Sequence, residues 1–183
     1  MRRFIEMGFE QYPRISAYIQ SKGGVKRGAL NKKAYDEGME SWNKLTPDEY
    51  QRLENEVDQG FKIFDALVTP TAIIITKLKT AKVIPVRDIL WMYPRVVTTR
   101  YYFIPTTKTH NLLVMDRYGE YETLGYTTTG GFSKKTPVDD ALKTIKSILD
   151  LTRKGIVYGY NDQVASAVET NLQGFAAHVD SNS

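Results

Sequence analysis

The sequence predicts an α+β protein built on a seven-stranded antiparallel sandwich or barrel. A C-terminal helix caps it, and helical extensions flank it at the N-terminal and C-terminal sides. Three observations predict this. From Phe61 to Tyr126, short apolar runs recur at roughly 8–12-residue spacing, each bounded by proline, glycine or polar turn residues. After them, Val138, Leu142, Ile145, Ile148, Leu149 and Thr152 mark one face of an amphipathic helix. Before them, residues 1–60 place their apolar positions at helical spacing.

The totals narrow the function classes. A chain of 183 residues with 42% hydrophobic content buries a core and is not disordered throughout. The expected organisation is a helical extension over 1–60, a strand-rich domain over 61–160, and a short helix with a flexible tail over 161–183. There is no cysteine, which excludes disulfides, thiolate nucleophiles and cysteine-containing zinc sites. His110 and His178 lie far apart with no metal-like spacing, so neither metal nor cofactor is expected. Arg2 and Arg3 are not followed by an apolar stretch of signal-peptide length, and the apolar run Ala66–Thr76 is interrupted and too short to span a bilayer. The expectation is a soluble, cytoplasmic protein, with membrane association through a partner or a segment of a longer parent chain as the alternative. The net charge of +4 is unevenly spread: residues 61–135 carry eleven basic and five acidic side chains, whereas residues 1–60 balance. An anionic partner, if there is one, is therefore expected on the strand-rich middle.

In residues 1–60, Phe4, Ile5, Phe9 and Tyr12 form one apolar stripe up to Pro13, and Ile15, Tyr18 and Ile19 continue it to Gly23-Gly24. The basic stretch Lys22–Lys33 reads as a solvated connector, with anion binding as the alternative. Asn31 caps a short helix carrying Tyr35, Met39 and Trp42. Thr46-Pro47-Asp48-Glu49 is a stronger start signal: a capping hydroxyl, a proline at the first helical position, and acids near the positive helix end.

The strands follow as Phe61–Val68, Thr71–Leu78, Ala81–Val86, Asp88–Tyr93, Val96–Ile104, Thr109–Asp116 and Tyr121–Tyr126. Pro85 and Pro94 are read as strand ends. Residues Ile89–Tyr93 are apolar on both faces, which places them in a strand covered on both sides. Thr136-Pro137-Val138-Asp139 opens the amphipathic helix and Gly155 stops it. A last helix starts at Asn161-Asp162 and ends near Leu172; the tail Phe175–Ser183 is expected to fray.

The segments Ala66-Leu67-Val68-Thr69, Val83-Ile84-Pro85-Val86-Arg87-Asp88-Ile89-Leu90-Trp91-Met92-Tyr93 and Val157-Tyr158-Gly159-Tyr160 carry a family likeness. They resemble an uncharacterised bacterial family of pleckstrin-homology-like (PH-like) domains over residues 61–160. The resemblance implies strands capped by a helix and leaves the activity open, because such folds host many roles. One departure matters. Lipid-binding PH domains gather basic residues around their first inter-strand loop, but Val68-Thr69-Pro70-Thr71 is uncharged; the nearest basic cluster is Lys77, Lys79, Lys82 and Arg87.

No catalytic constellation is visible. Asp88 reads as a turn stabiliser, Trp91 and Tyr93 as core, and His110 as an exposed or hydrogen-bonded strand histidine. The expected function is a non-enzymatic PH-like binding or scaffolding module, using strand edges or a helix-flanking groove to hold a protein partner or copies of itself. The alternative is an anionic-surface binder, membrane or nucleic acid, using Lys77, Lys79, Lys82 and Arg87 with Arg95, Arg100 and Lys108.

Overall fold

The computed structural model describes residues 8–134 and 137–183, so the expectations for Phe4, Ile5 and Thr136 lie outside the described residues. The chain divides into two compact units, Met1–Val86 and Arg87–Ser183.

In the first unit a 3-10 turn, Gly8–Gln11, leads into α1 (Pro13–Ser21), α2 (Lys32–Ser41) and α3 (Pro47–Glu56). The Thr46 signal holds: its hydroxyl accepts from Glu49 N, and the Glu49 carboxylate accepts from Thr46 N at 2.8 Å, a complete capping box. α3 also caps α1. The buried Glu54 carboxylate accepts from Arg14 N at 2.8 Å and Ile15 N at 3.0 Å, two donors that the first turn of α1 leaves without helical partners.

The strands of this unit are β1 (Phe61–Ile63), β2 (Ala66–Val68), β3 (Ala72–Lys77) and β4 (Thr80–Pro85), an antiparallel meander in the order β1-β2-β3-β4. The expected first strand is therefore two strands, folded back where Phe64 takes φ 52°. Leu67, Ala72, Ile74, Ala81 and Val83 face the helices and form one core with Ile15, Ile19, Trp42, Tyr50 and Leu53.

α2 lies along the open edge of β4 and satisfies it. Trp42 Nε1 donates to Ala81 O at 3.0 Å, and Val83 N donates to Ser41 Oγ at 2.9 Å. These are outward-facing groups that an edge strand otherwise leaves to water or to another chain. The close approach needs glycine: a Cβ on Gly38 would stand 2.9 Å from Ala81 O.

The second unit holds β5 (Ile89–Tyr101), β6 (Ile104–Asp116), β7 (Tyr121–Gly130), α4 (Pro137–Leu149), β8 (Val157–Tyr158), α5 (Asp162–Thr170) and α6 (Leu172–Ser181). Its sheet runs β7-β6-β5-β8, antiparallel except for the short parallel β8. The inner half of β5, Ile89–Tyr93, is buried as expected. Trp91 and Tyr93 pack with Phe175, Val179, Val164 and Leu172 from α5 and α6. α4 contacts β5 and β6, burying Val138, Ile145 and Leu149. Trp91 is the core anchor the sequence suggests, and its Nε1 donates to Gly159 O at 2.7 Å.

Three expectations need correction. The strands do not close into one seven-stranded barrel; they form two open four-stranded sheets. Pro94 does not end a strand, so the expected fourth and fifth strands are one of thirteen residues. Met92 O faces β8, accepting from Gly159 N at 2.9 Å, so two residues on Pro94 also faces away from β6 and its missing N–H costs no ladder bond. The tail does not fray: Phe175 and Val179, four apart, are buried on α6, and Asn171 Oδ1 caps that helix by accepting from Gly174 N.

A chain of ion pairs fastens this unit. Arg117 Nε lies 3.0 Å from the buried Asp88 carboxylate, and Arg117 Nη2 donates to Arg87 O at 2.7 Å. Arg117 Nη2 and Arg153 Nη2 both reach Asp180 Oδ1, at 3.2 and 2.6 Å. Asp88 thus does more than steady a bend; it joins the start of β5 to the β6–β7 turn.

The contact of α2 with the β4 edge yields a test in which two effects oppose. Gly38→Ala gains about 1 kcal/mol of helix propensity, but its methyl group meets backbone rather than a yielding side chain, which costs about 1–3 kcal/mol. The expected net is a loss of unfolding free energy in urea; a gain would show that α2 does not seat on β4 through this glycine.

Candidate functional site

The first unit carries a basic, apolar tip where the loop before α2 meets the β3–β4 turn. Lys77 pairs with Thr80, leaving Leu78 and Lys79 as a two-residue turn with φ of 52° and 58°. That geometry belongs to Asn-Gly or Gly-Gly, and a leucine there is strained. Its side chain points to solvent at 79% exposure, and Leu30 across the tip is 105% exposed.

Asn31 holds the tip together. It stands at the N-cap of α2 as expected, but its side chain makes no capping bond to that helix. Its amide donates to Leu78 O at 2.8 Å and Lys26 O at 3.0 Å, and its Oδ1 accepts from Gly28 N at 2.7 Å. Lys26 N in turn donates to Lys79 O at 2.9 Å. The loop is therefore built onto the hairpin, and between the two lies a depression of ≈ 420 Å³ lined by Gly28, Ala29, the two leucines and Lys26 and Lys79.

The electrostatics are one-sided. The segments 22–33 and 77–82 contain lysines and Arg27 but no acid. Arg27 is engaged by Asp36 through two bonds of 2.8 Å, and the guanidinium holds that carboxyl below its ordinary range. Lys33 lies 3.5 Å from Glu37. Among the described residues no carboxylate forms an ion pair with Lys26, Lys77 or Lys79. The arrangement suits attraction of an anionic surface.

Of the cluster expected from sequence, the structure brings Lys77 and Lys79 together at the tip. Lys82 lies further along β4, opposite Ile75 and half-buried. Arg87 belongs to the second unit, 3.9 Å from the Asp88 carboxylate and beside the Arg117 ion pair. Arg95 and Arg100 are exposed on the outer half of β5, and Lys108 Nζ donates to Ser133 O at 2.8 Å. His110 is buried rather than exposed, its Nε2 2.8 Å from Thr129 Oγ1. Sequence reasoning missed Leu30, Leu78 and Asn31. The available signal was Leu78 flanked by lysines inside a tight turn, an apolar residue with no strand face to join.

Among the described residues there is no group of three or more His, Asp or Glu side chains that could hold a metal, and no helix is long and apolar enough to cross a membrane. Comparison with protein-family models, curated proteins and solved structures finds no match to this chain.

Because Leu78 and Lys79 occupy positions suited to Asn-Gly, Leu78→Asn with Lys79→Gly is expected to raise stability. Relief of left-handed strain at the turn should amount to about 1–2 kcal/mol. Chemical denaturation checks it; an unchanged or lowered midpoint would mean that the turn is unstrained.

Proposed function

We propose that this protein is a non-enzymatic binding module that docks on anionic lipid surfaces through the Leu30–Leu78 tip. The observation that carries the reading is the pairing of two strongly exposed leucines with lysines that form no ion pair with a carboxylate among the described residues. An apolar side chain held in water by a strained turn raises stability for nobody within the fold, so its use is sought outside it. Each lysine near an anionic bilayer contributes about 1 kcal/mol, and each leucine taken out of water about 2 kcal/mol. Three lysines and two leucines give about 7 kcal/mol, an upper bound corresponding to a dissociation constant on the order of 10 μM.

Leucine also favours the lipid reading of the two anionic surfaces. Single-stranded nucleic acid is gripped by aromatic rings that stack on bases, and the tip's apolar residues are aliphatic. The PH-like kinship of residues 61–160 belongs to the same proposal. It is supported by the Ile84-Pro85 to Tyr93 motif, with the β3–β4 turn carrying the charge that the uncharged Val68–Thr71 loop lacks. Retention at a cytoplasmic membrane face would follow from it.

Vesicle co-sedimentation tests the reading. The protein is expected to pellet with phosphatidylserine-containing vesicles, to remain in the supernatant with pure phosphatidylcholine, and to lose binding steeply as salt rises. Lys77→Glu with Lys79→Glu, and separately Leu30→Ser with Leu78→Ser, should each weaken binding about tenfold or more, since each removes at least 1.4 kcal/mol of the sum. Equal pelleting of all three proteins would overturn the proposal, as would preference for single-stranded nucleic acid over vesicles.

A further inference from the structure

The second unit carries a surface that the lipid-docking reading does not use. β8 pairs with β5 only at Trp91 and Met92, and beyond Tyr93 the outer edge of β5 has no neighbouring strand among the described residues. From Arg95 to Tyr101 every residue is exposed, in a run of β-branched, aromatic and arginine side chains. Natural sheets blunt such an edge with bulges, proline or charged side chains, or cover it; here Pro94 stands at its start and Arg95 and Arg100 are its only charges. The opposite edge, β7, is broken by a bulge where Leu112 pairs with Gly125 and Leu113 with Thr123. The 95–99 stretch of β5 is in unbroken register with β6.

We infer that the β5 edge from Arg95 to Tyr101 pairs antiparallel with the same edge of a second copy of this chain, about a two-fold axis at Thr98. The register follows from the side to which each backbone group points. Met92 O faces outward, so Pro94, Val96 and Thr98 do as well. An axis at Val97 would set Pro94, which has no N–H, against Arg100 of the second copy and lose a bond. An axis at Thr98 keeps Pro94 out of the ladder and sets Val96 against Arg100 and Arg95 against Tyr101, so no two arginines meet.

That register also brings together two features that lie apart in one copy. At the inner end of the free edge, Tyr93, Pro94, Arg95, Val96 and Tyr160 line a pocket of ≈ 480 Å³. At its outer end, the hairpin tip displays Tyr101 at 68% and Phe103 at 93% exposure, with Tyr102 and Phe103 at positive φ. Paired residues share a sheet face, and Arg95 shares one with Tyr93, whose ring lies 5.5 Å from that of Tyr160. Tyr101 of the second copy therefore falls on the pocket side of the sheet, and the two-fold repeats the contact. Such an interface is self-complementary and closes at two copies.

Analytical ultracentrifugation of the full chain tests this. The wild type is expected to be a dimer, and Thr98→Pro a monomer with an unchanged circular dichroism spectrum, because proline there removes an outward N–H and no bond to β6. Tyr101→Ala should raise the dimer dissociation constant about tenfold. The chain has no cysteine, so Thr98→Cys provides a register readout that does not depend on Thr98→Pro folding. Mild oxidation should give a covalent dimer from Thr98→Cys and little from Val96→Cys, since only residue 98 meets itself across the axis at disulfide distance. A wild type that stays monomeric up to its solubility limit overturns the inference. So does a dimer untouched by Thr98→Pro, or equal cross-linking at both positions. The lipid-docking residues lie in the other unit, so vesicle binding and dimerisation can fail independently.

Discussion

An edge strand presents N–H and C=O groups that must find partners, and the way each unit meets this requirement shapes the rest of it. In the first unit the solution is internal. α2 is pressed against β4 until Trp42 and Ser41 replace the missing strand, and the approach is close enough to exclude any residue but glycine at position 38. That contact fixes where α2 begins, and so where the preceding loop must cross the β3–β4 turn. In the second unit β8 seals only two residues of β5, and the remaining edge has no neighbouring strand among the described residues.

The three bent hairpins have a common chemistry. Phe64, Leu78 with Lys79, and Tyr102 with Phe103 all sit in the left-handed region, where glycine or asparagine is the low-energy choice. At two of these turns the strained side chains are also strongly exposed, so packing does not account for them. Strain that stabilises nothing within the fold is a reasonable marker of a surface kept for contact.

Much of the interior was legible in the sequence. The Thr46 capping box, the buried run Ile89–Tyr93 with Trp91 at its centre, and the stripe of Val138, Ile145 and Leu149 depend on local rules of period and cap, although α4 ends at Leu149 rather than running on through Thr152 to Gly155. What was not legible depends on direction. Pro94 reads as a terminator until one knows that its nitrogen faces an unpaired edge. Phe61–Val68 reads as one strand because nothing in Ile63-Phe64-Asp65 advertises a turn. Phe175 and Val179 look like a polar tail's stray apolar residues until α6 is seen to lay them against Trp91 and Met115. For the tip, charge was readable at Lys77 and Lys79, whereas the exposure of Leu30 and Leu78 depends on the sign of φ and on Asn31, neither of which composition reveals.

The ion pairs running from Asp88 through Arg117 to Asp180 and Arg153 have a consequence for how the second unit comes apart. They join four segments separated by long stretches of sequence, and a single oxygen of Asp180 answers two guanidinium groups. The Arg153 side chain is nearly enclosed, whereas that of Asp180 is 44% exposed. If α6 lifts away, it takes that oxygen with it and leaves the enclosed cation and Arg117 facing one another without their shared anion. Partial opening is thereby penalised more than the loss of α6 packing alone would suggest. The strand start, the β6–β7 turn, the segment after α4 and α6 are wired to melt as one cooperative element rather than to fray from the helix inward.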